Sequence, residues 1–242
     1  DTCGRFGVTV EYSPTGEITR HHYPYYKLDT GEISSTKVRE VKTKNFHTTG
    51  DISGVGFFGQ HQCKTNKYIT ITEGELDAMA VYEMSGKQWD AVSLRSGASN
   101  AEKEVKEQLA WLESYETVVL CFDNDKAGNA AVDLVKDLFS PSKLKIVKLP
   151  LKDASDMLIA NRVKDFTQEW WNAKTYRPDG IVAGLDTWDN LVEKRKVKSI
   201  PYPWEGLNAL TRGHRPYELV TITSGSGMGK SQFIREIEYD LL

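Results

Sequence analysis

The chain has 242 residues, of which 39% are hydrophobic and 27% are charged, and its formal net charge at pH 7 is -3. We expect a soluble globular protein of one large or two small domains. Membrane-spanning proteins are excluded as a class, because no apolar run approaches the ~18 to 20 residues of a span. The amino terminus lacks a signal-peptide pattern, so we expect a cytoplasmic protein without a membrane partner. The small net charge gives no global attraction to nucleic acid, so such contacts must come from local patches.

Three cysteines, Cys3, Cys63 and Cys121, lie far apart and form no CxxC pair. This spacing predicts neither a zinc ribbon nor a disulfide framework, and we expect reduced intracellular thiols. The sequence starts with Asp1 and stops shortly after a nucleotide-binding motif. Both observations favour a piece cut from a longer protein.

Short strands with turn residues between them are predicted from Val8 to Lys44. We expect a small antiparallel or mixed sheet there, within an N-terminal subdomain at residues 1–65. The stretch Gly50 to Gly59 is rich in glycine and is interpreted as a connector.

Apolar strands alternate with amphipathic helices over residues 66–171, which is typical of right-handed βαβ units around a buried parallel sheet. We therefore predict a compact α/β domain. Its elements are strands at 68–72, 90–94, 117–122 and 145–149, and helices at 75–85, 101–112, 126–138 and from Ala154 onward.

Residues 172–200 are interpreted as a linker with an amphipathic helix, whose cap is Asp186 and whose apolar face contains Leu185, Trp188, Leu191 and Val192. The basic run Lys194 to Lys198 favours a solvated linker over a nucleic-acid patch. A last unit, 201–242, is predicted to begin with a strand at Glu218 to Thr223 and to continue into a loop and a helix.

One group of acidic residues follows the first strand of the α/β domain. Glu75 and Asp77 lie in the first turn of the next helix, where the helix dipole alone explains a carboxylate. Glu73 is different, because it comes directly after the strand and before a glycine that keeps the turn open. In open α/β sheets the ligand crevice lies at this carboxyl end.

Asp123 and Asp125 repeat the arrangement after the buried strand that ends at Phe122. Converging carboxylates are the hard oxygen ligands that Mg²⁺ prefers, although a lone DxD is also common in solvated turns. Asp153 follows the next strand and is a candidate helix cap, a role that is compatible with metal binding. Together these acids predict one divalent-metal site for phosphoryl or nucleotidyl transfer.

A glycine-rich loop follows the predicted strand of the last unit. Its backbone N–H groups are expected to wrap phosphates, with Lys230 on their outer oxygens and Ser231 on Mg²⁺. Ser224 stands where the usual pattern has its first glycine. The predicted nucleotide-binding residues of this loop are Ser224, Gly225, Gly227, Gly229, Lys230 and Ser231.

The order EGELD, FDNDKAG, KDASD resembles the Toprim domain of primases, topoisomerases and related nucleases. More closely, YITITEGELDAMAV, VSLRSGASNAEK, VVLCFDNDKAG and LPLKDASD are similar to the bifunctional primase-helicases of short-tailed phages, with mitochondrial Twinkle as a more distant relative. The resemblance extends to SSTKVREVKTKNFHTTG before these motifs and to VTITSGSGMGKSQFIRE after them. It implies an α/β fold: a Toprim parallel-sheet domain, preceded by a strand-rich subdomain and followed by a linker helix and the truncated start of a RecA-like domain.

The resemblance also implies roles for particular residues. Glu73, Asp123 and Asp125 match the principal ligands of Mg²⁺ or Mn²⁺, and Asp77 and Asp153 match acids that help to place the metals. Lys37 and Lys44 match lysines that hold the phosphates of the incoming nucleoside triphosphate, although basic residues on an edge strand also discourage aggregation. In the full-length protein, the P-loop is expected to bind ATP or dTTP.

We expect a DNA primase that makes RNA primers on a single-stranded DNA template. The implied partners are the RNA primer, a replicative DNA polymerase and, for the full-length protein, a homo-hexamer in the infected bacterial cell, with the linker helix docked on a neighbouring subunit. We expect no unwinding by this chain alone, because few residues follow its P-loop. The zinc module that precedes the polymerase domain in the family is not visible here, so priming is expected to be weak and unselective.

The same residues are compatible with two other functions. A Toprim nuclease or topoisomerase would use the same acidic cluster, but a nuclease needs neither Lys37 and Lys44 nor an attached P-loop. A non-catalytic spacer that supports assembly of the helicase ring is disfavoured by the intact Glu73, Asp123 and Asp125.

Overall fold

The computed structural model describes residues 1–64, 66–178, 188 and 199–242. The chain divides into two compact units, Asp1–Ile181 and Val182–Leu242. The domain boundaries predicted at residues 65, 171 and 200 stay predictions. No helix within the described ranges is both long and apolar enough to cross a membrane.

The first unit opens with a short helix, α1 (Thr2–Arg5), and a four-stranded antiparallel sheet. The predicted small sheet is thereby confirmed. A strand at residues 46–50 had not been predicted, because all five of its residues are exposed and it carries no alternation of apolar and polar positions. The strands, in sheet order, are β1 (Thr9–Tyr12), β2 (Ile18–Tyr26), β3 (Ile33–Glu40) and β4 (Phe46–Gly50).

A second sheet of five strands forms the centre of the first unit and has the order β6-β5-β7-β8-β9. Its first four strands are parallel, as predicted, and β9 runs antiparallel to β8 at the edge. Three strands end earlier than predicted, at Ser93, Leu120 and Ile146, because the apolar residues that follow them are buried without extending the strand ladder. The strands are β5 (Tyr68–Thr72), β6 (Asp90–Ser93), β7 (Thr117–Leu120), β8 (Leu144–Ile146) and β9 (Lys174–Thr175).

Helices cover both faces of this sheet. The predicted helix at 101–112 is interrupted at Gln108, and the one predicted at 126–138 ends in a 3₁₀ turn at Lys136–Leu138. A last helix of the unit, at 163–172, had not been predicted. The helices are α2 (Glu75–Met84), α3 (Ala101–Glu107), α4 (Leu109–Leu112), α5 (Lys126–Val135), α6 (Ala154–Ile159) and α7 (Val163–Asn172).

Alternation along β7 separates two apolar cores. Val119 faces the core that contains α2 and α7, whereas Val118 and Leu120 face the core that contains α3 and α5. Two side chains of β2, Tyr23 and Tyr25, are buried in the first of these cores. The antiparallel sheet therefore shares the apolar core that contains α2 and is part of the same unit.

The second unit contains α8 (Glu205–Thr211) and α9 (Lys230–Leu241), with Trp204 stacked on Phe233 at 4.4 Å between ring centroids. The strand predicted at Glu218 to Thr223 was wrong, since these residues form no strand and Leu219 is 94% exposed. A strand requires hydrogen bonds to another strand, and in the described part of the chain no strand pairs with this segment. The RecA-like start of this unit stays a prediction.

The predicted interface helix at 184–195 lies outside the described residues, together with its cap Asp186 and the side chains Leu185, Leu191 and Val192. Within it only Trp188 is described, and its side chain is exposed. The basic run Lys194 to Lys198 also lies outside the described residues.

Candidate active site

Three adjacent parallel strands bring the predicted acids to one edge of the sheet. Glu73 follows β5, Asp123 and Asp125 follow β7, and Asp153 follows β8. Because β7 lies between β5 and β8, these carboxyl ends are neighbours. A hydrogen bond also joins the segments that follow β5 and β7, since the backbone N–H of Asp123 donates to Glu73 Oε1 at 3.0 Å.

The first turn of α5 lies very close to these acids at Gly128. A Cβ atom at this position would lie 2.1 Å from the carbonyl oxygen of Asp123 and 2.6 Å from Glu73 Oε1. No side chain fits there without moving the backbone after β7. Gly128 therefore keeps open the space in which Glu73 and Asp123 face each other.

Asp125 is held as the cap of α5. Its Oδ1 accepts hydrogen bonds from the backbone N–H groups of Ala127 at 2.9 Å and Gly128 at 3.0 Å. Capping satisfies helix N–H groups that have no partner within the helix. The carboxylate is therefore fixed in direction by α5, while its other oxygen takes part in neither of these bonds.

The two further acids are anchored on α6. Asp77 Oδ1 accepts from the backbone N–H of Ser155 at 2.9 Å and from its hydroxyl at 2.7 Å. Asp153 caps α6 and accepts from the N–H of Asp156 at 2.7 Å, which confirms the predicted cap. The contacts between Asp77 and Ser155 therefore join α2 to α6.

Burial and mutual repulsion perturb this acidic group. Burial raises the pKa of Glu73 to about 7, and the charges of Asp123, Asp125 and Asp77 add to this rise against the opposing N–H of Asp123. Burial likewise raises the pKa of Asp77 to about 6, with the bonds from Ser155 opposing it. For Asp123, burial also raises the pKa, although Lys152 lies 3.2 Å from its Oδ2 and opposes the rise.

The carboxylate oxygens of these acids suit a hard divalent cation, although their side chains do not converge on one point. Among the described residues, no group of three or more Asp, Glu, His or Cys side chains is arranged to hold a metal ion. Several carboxylates are instead engaged by backbone N–H groups, Ser155 or Lys152. Carboxylate oxygens that raise one another's pKa are nevertheless the ligands that Mg²⁺ favours, and a cation would offset their repulsion.

Lys37 lies on β3 and reaches the same region from the antiparallel sheet. Its Nζ is 2.7 Å from Glu75 Oε1 and donates to the carbonyl oxygen of Arg95 at 3.0 Å. Tyr25 also donates its hydroxyl to Glu75 Oε1, at 2.7 Å. Lys44 is placed elsewhere, in the exposed turn between β3 and β4, with φ of 58°.

The sequence interpretation of Glu75 missed this contact. A carboxylate in a first helical turn is explained by the helix dipole, so nothing local pointed to a partner. The structure instead buries Glu75 at 3% exposure beside Lys37 and Tyr25. Charged residues are rarely buried without a partner, and only the packing of the two sheets supplies one here.

The predicted P-loop of the second unit has its loop and helix, but among the described residues no strand directly precedes it. Gly227 and Gly229 have φ of 78° and 84°, and α9 starts at Lys230 and contains Ser231 in its first turn. Lys230 Nζ donates to the carbonyl oxygens of Ser224 at 2.8 Å and Gly225 at 2.9 Å. Its ammonium group therefore lies inside the loop that is predicted to hold phosphates.

Comparisons with known proteins agree with this fold. A family model described as Toprim-like matches residues 70–158. The chain is 38% identical, over 215 residues, to the DNA helicase/primase of Enterobacteria phage T3, an alignment that covers 87% of this chain and 38% of the relative. The primase fragment of the bacteriophage T7 primase-helicase has a TM-score of 0.63 and 32% identity over 70% of each chain.

A second T7 structure contains the lagging-strand DNA polymerase with primase domains bound to an RNA/DNA hybrid and dTTP. The match to it has a TM-score of 0.65 and 32% identity, and it covers 72% of this chain and 87% of that chain. The chain belongs to the phage primase-helicase family. It spans 38% of the length of the T3 relative. Toprim primases generally use divalent metal ions. This agrees with the acidic edge, the group of Glu73, Asp123, Asp125 and Asp153 at the carboxyl ends of β5, β7 and β8.

Proposed function

We propose that this chain is the primer-synthesising part of a DNA primase-helicase and joins ribonucleotides on a single-stranded DNA template. The observation that carries this proposal is that the parallel sheet supplies acidic groups and the antiparallel sheet supplies a basic group to the same region. Carboxylates follow three adjacent strands of the parallel sheet, and Lys37 enters beside them from β3. Acids bind the cations of a triphosphate, and a lysine binds its phosphates, so the combination suits nucleotidyl transfer.

Glu73, Asp123 and Asp125 would hold Mg²⁺ or Mn²⁺, and Asp77 and Asp153 would keep their surroundings fixed through α6. When bound, the ions would offset the negative charge that develops on the reacting phosphate. The chain's own contribution is preorganisation, because the bond from Asp123 N–H to Glu73 and the cap by Asp125 fix two carboxylates before substrate arrives.

The lysines are assigned to the triphosphate. Lys37 is nearly buried, at 15% side-chain exposure, and its ammonium is already oriented by Glu75 and the Arg95 carbonyl. A fixed cation loses less freedom on binding phosphate than a mobile one. Lys44, in the exposed turn after β3, would add a second and less restrained positive charge.

The remaining partners follow from family membership. The T7 structure that combines primase domains with a lagging-strand polymerase and an RNA/DNA hybrid supports an RNA primer and a replicative DNA polymerase as partners here. ATP or dTTP at Ser224, Gly225, Gly227, Gly229, Lys230 and Ser231, a homo-hexamer and helicase activity are assigned to the full-length protein.

The deciding experiment is extension of a short RNA annealed to single-stranded DNA, with labelled ribonucleotides and Mg²⁺ or Mn²⁺. Annealed RNA bypasses the choice of a start site. The wild-type chain should lengthen the RNA and Asp123→Asn should not. Asp133→Asn is the matched control, because Asp133 is an exposed aspartate of α5 that pairs with Lys136 at 2.6 Å.

Two results would overturn the proposal. One is cutting of the DNA strand without ribonucleotide incorporation, which would indicate a nuclease. The other is a wild-type chain that folds and binds Mg²⁺ but does not extend the annealed RNA.

A further inference from the structure

The loop that follows β6 is held by a buried carboxylate of α3. Glu104 is 2% exposed, and its two oxygens accept hydrogen bonds from two successive backbone N–H groups. Arg95 N–H donates to Oε2 at 2.6 Å, and Ser96 N–H donates to Oε1 at 3.0 Å. These two N–H groups are therefore engaged by Glu104 and are not available to another acceptor.

Arg95 connects this loop to two other parts of the unit. Its Nη1 donates to the carbonyl oxygen of Val55 at 3.0 Å, in the connector after the antiparallel sheet. Its Nη2 pairs with Glu107, and its Nε lies 3.6 Å from Glu104 Oε2. The Arg95 residue is thus fixed from both its backbone and its side chain.

The carbonyl oxygen of the same residue accepts the hydrogen bond from Lys37 Nζ. Lys37 is therefore oriented by two groups, the Glu75 carboxylate and the Arg95 carbonyl. The position of the Arg95 carbonyl depends on Glu104, because Glu104 accepts a hydrogen bond from the Arg95 N–H and so fixes the orientation of the loop backbone. A continuous chain of contacts leads from α3 to the ammonium group.

The loop also borders an open cleft of about 550 Å³. Side chains with hydrogen-bonding groups line it on the side of α3, where Ser96, Asn100 and Lys103 lie beside Glu104. Its volume falls in the range of ~300 to 1,000 Å³ that is usual for small-molecule sites.

We propose that Glu104 is a positioning residue for the nucleoside triphosphate, acting through the Arg95 peptide on Lys37. The proposal rests on the proposed function, in which Lys37 binds the triphosphate. A buried carboxylate is costly unless its hydrogen bonds are complete, and here they are completed by the loop that orients Lys37. Glu104 touches no substrate in this scheme, so its effect appears in nucleotide affinity.

The test is Glu104→Gln, which keeps the shape of the side chain but replaces one acceptor oxygen with an NH₂ group that faces an N–H donor. All variants carry Lys230→Ala, so that the P-loop does not contribute to the signal. The probe is ATP with Mg²⁺, measured by calorimetry. We expect Kd to rise roughly five- to tenfold, the effect of losing a hydrogen bond of about 1 to 1.4 kcal/mol.

The matched control is Glu102→Gln, because Glu102 lies on the same helix but is exposed and pairs with Lys106 at the surface. It should leave Kd unchanged. The second arm repeats Glu104→Gln in a Lys37→Met chain. If Glu104 acts through Lys37, the substitution should have no further effect on Kd there.

Unchanged ATP affinity in Glu104→Gln would overturn the inference, and so would an equal loss of affinity with and without Lys37. Absence of ATP binding by the parent chain would do the same. If Glu104→Gln does not fold, Arg95→Gln replaces it, with the same expected dependence on Lys37. Failure of the proposed function is seen separately, in the extension of annealed RNA by the wild-type chain.

Discussion

The acidic edge of the parallel sheet and the P-loop of the second unit were both predicted at strand ends, but they differ in what surrounds them. Glu73, Asp123 and Asp153 follow strands that pair with one another, and the residues behind them are buried. The segment before the P-loop is exposed and forms no strand in the described chain, whereas α9 and the positive φ of Gly227 and Gly229 are in place.

This difference separates two kinds of local structure. A glycine-rich turn and a helix start are formed by contacts between near neighbours in the sequence, so they need no sheet. A strand is formed by hydrogen bonds to other strands. The acidic edge is therefore a rigid site, held by the whole first unit, whereas the P-loop is held mainly by its own residues, such as the bonds from Lys230 to Ser224 and Gly225.

The largest expected effect is a loss of RNA extension that follows substitution in the acidic edge but not in the P-loop. Glu73→Gln should reduce RNA extension on the order of 100-fold or more, because several kcal/mol of charge stabilisation depend on the metal site. Lys230→Ala should leave RNA extension unchanged and abolish nucleotide binding at the P-loop. Rates of single-nucleotide addition measure the first, and ATP titration of the two variants measures the second. Equal loss of extension in both would show that the motifs work as one site.

The next effect compares two glycines. Gly128→Ala would place a Cβ against the Asp123 carbonyl and Glu73, whereas a Cβ at Gly225 meets only Met228 Cγ at 3.5 Å, an ordinary contact. We expect Gly128→Ala to lower the free energy of unfolding by about 1 to 3 kcal/mol, the usual cost of overpacking. Gly225→Ala should change it by less than about 0.5 kcal/mol. Urea denaturation of both variants checks this, and equal midpoints would contradict a rigid acidic edge.

A third effect compares one tryptophan from each of the two units that contain the motifs. Trp170 Nε1 donates to Thr70 Oγ1 at 3.0 Å in the buried core beneath β5. Trp170→Phe leaves this hydroxyl without its donor and should cost about 1 to 2 kcal/mol of unfolding free energy. The counterpart in the second unit is Trp204→Phe, which retains stacking on Phe233 and should cost less. Chemical denaturation followed by circular dichroism measures both, and a larger loss for Trp204→Phe would reverse the comparison.

The sequence was sufficient for the parallel sheet and for the position of its acids, because apolar runs and strand ends are local features. The Toprim-like sheet was confirmed, and Glu73, Asp123 and Asp153 follow neighbouring strands as predicted. Their roles as metal ligands stay predictions. The prediction of a strand at Glu218 to Thr223 was wrong, because a strand also needs a pairing partner, which apolar alternation alone does not supply.

Contacts between distant segments could not be predicted. The pairs Lys37–Glu75 and Asp77–Ser155 join residues far apart in the sequence. Each pair depends on how a helix or a sheet packs, which hydrophobic periodicity does not define. The role of Glu104 belongs to the same class, because a glutamate on an amphipathic helix is ordinarily solvated, and here the loop after β6 folds over it.

The smallest effect concerns pH and metal at the acidic edge. The pKa of Glu73 is raised to about 7 and that of Asp77 to about 6 by burial and neighbouring carboxylates. Without metal, the folded chain therefore binds protons at these groups more tightly than the unfolded chain. The stability that they contribute is complete below the unfolded pKa values near 4 and is lost as pH rises toward 7.

The thermal midpoint of the chain in EDTA should therefore fall between pH 5 and pH 7.5, by about 2 to 4 °C for each ~1 kcal/mol of stability lost in a domain of this size. Mg²⁺ binds the ionised acids, so it should raise the midpoint more at pH 7.5 than at pH 5. The double variant Glu73→Gln/Asp77→Asn should remove both dependences, whereas Lys230→Ala should retain them. A Mg²⁺ effect that persisted in the double variant would place the metal elsewhere than the acidic edge.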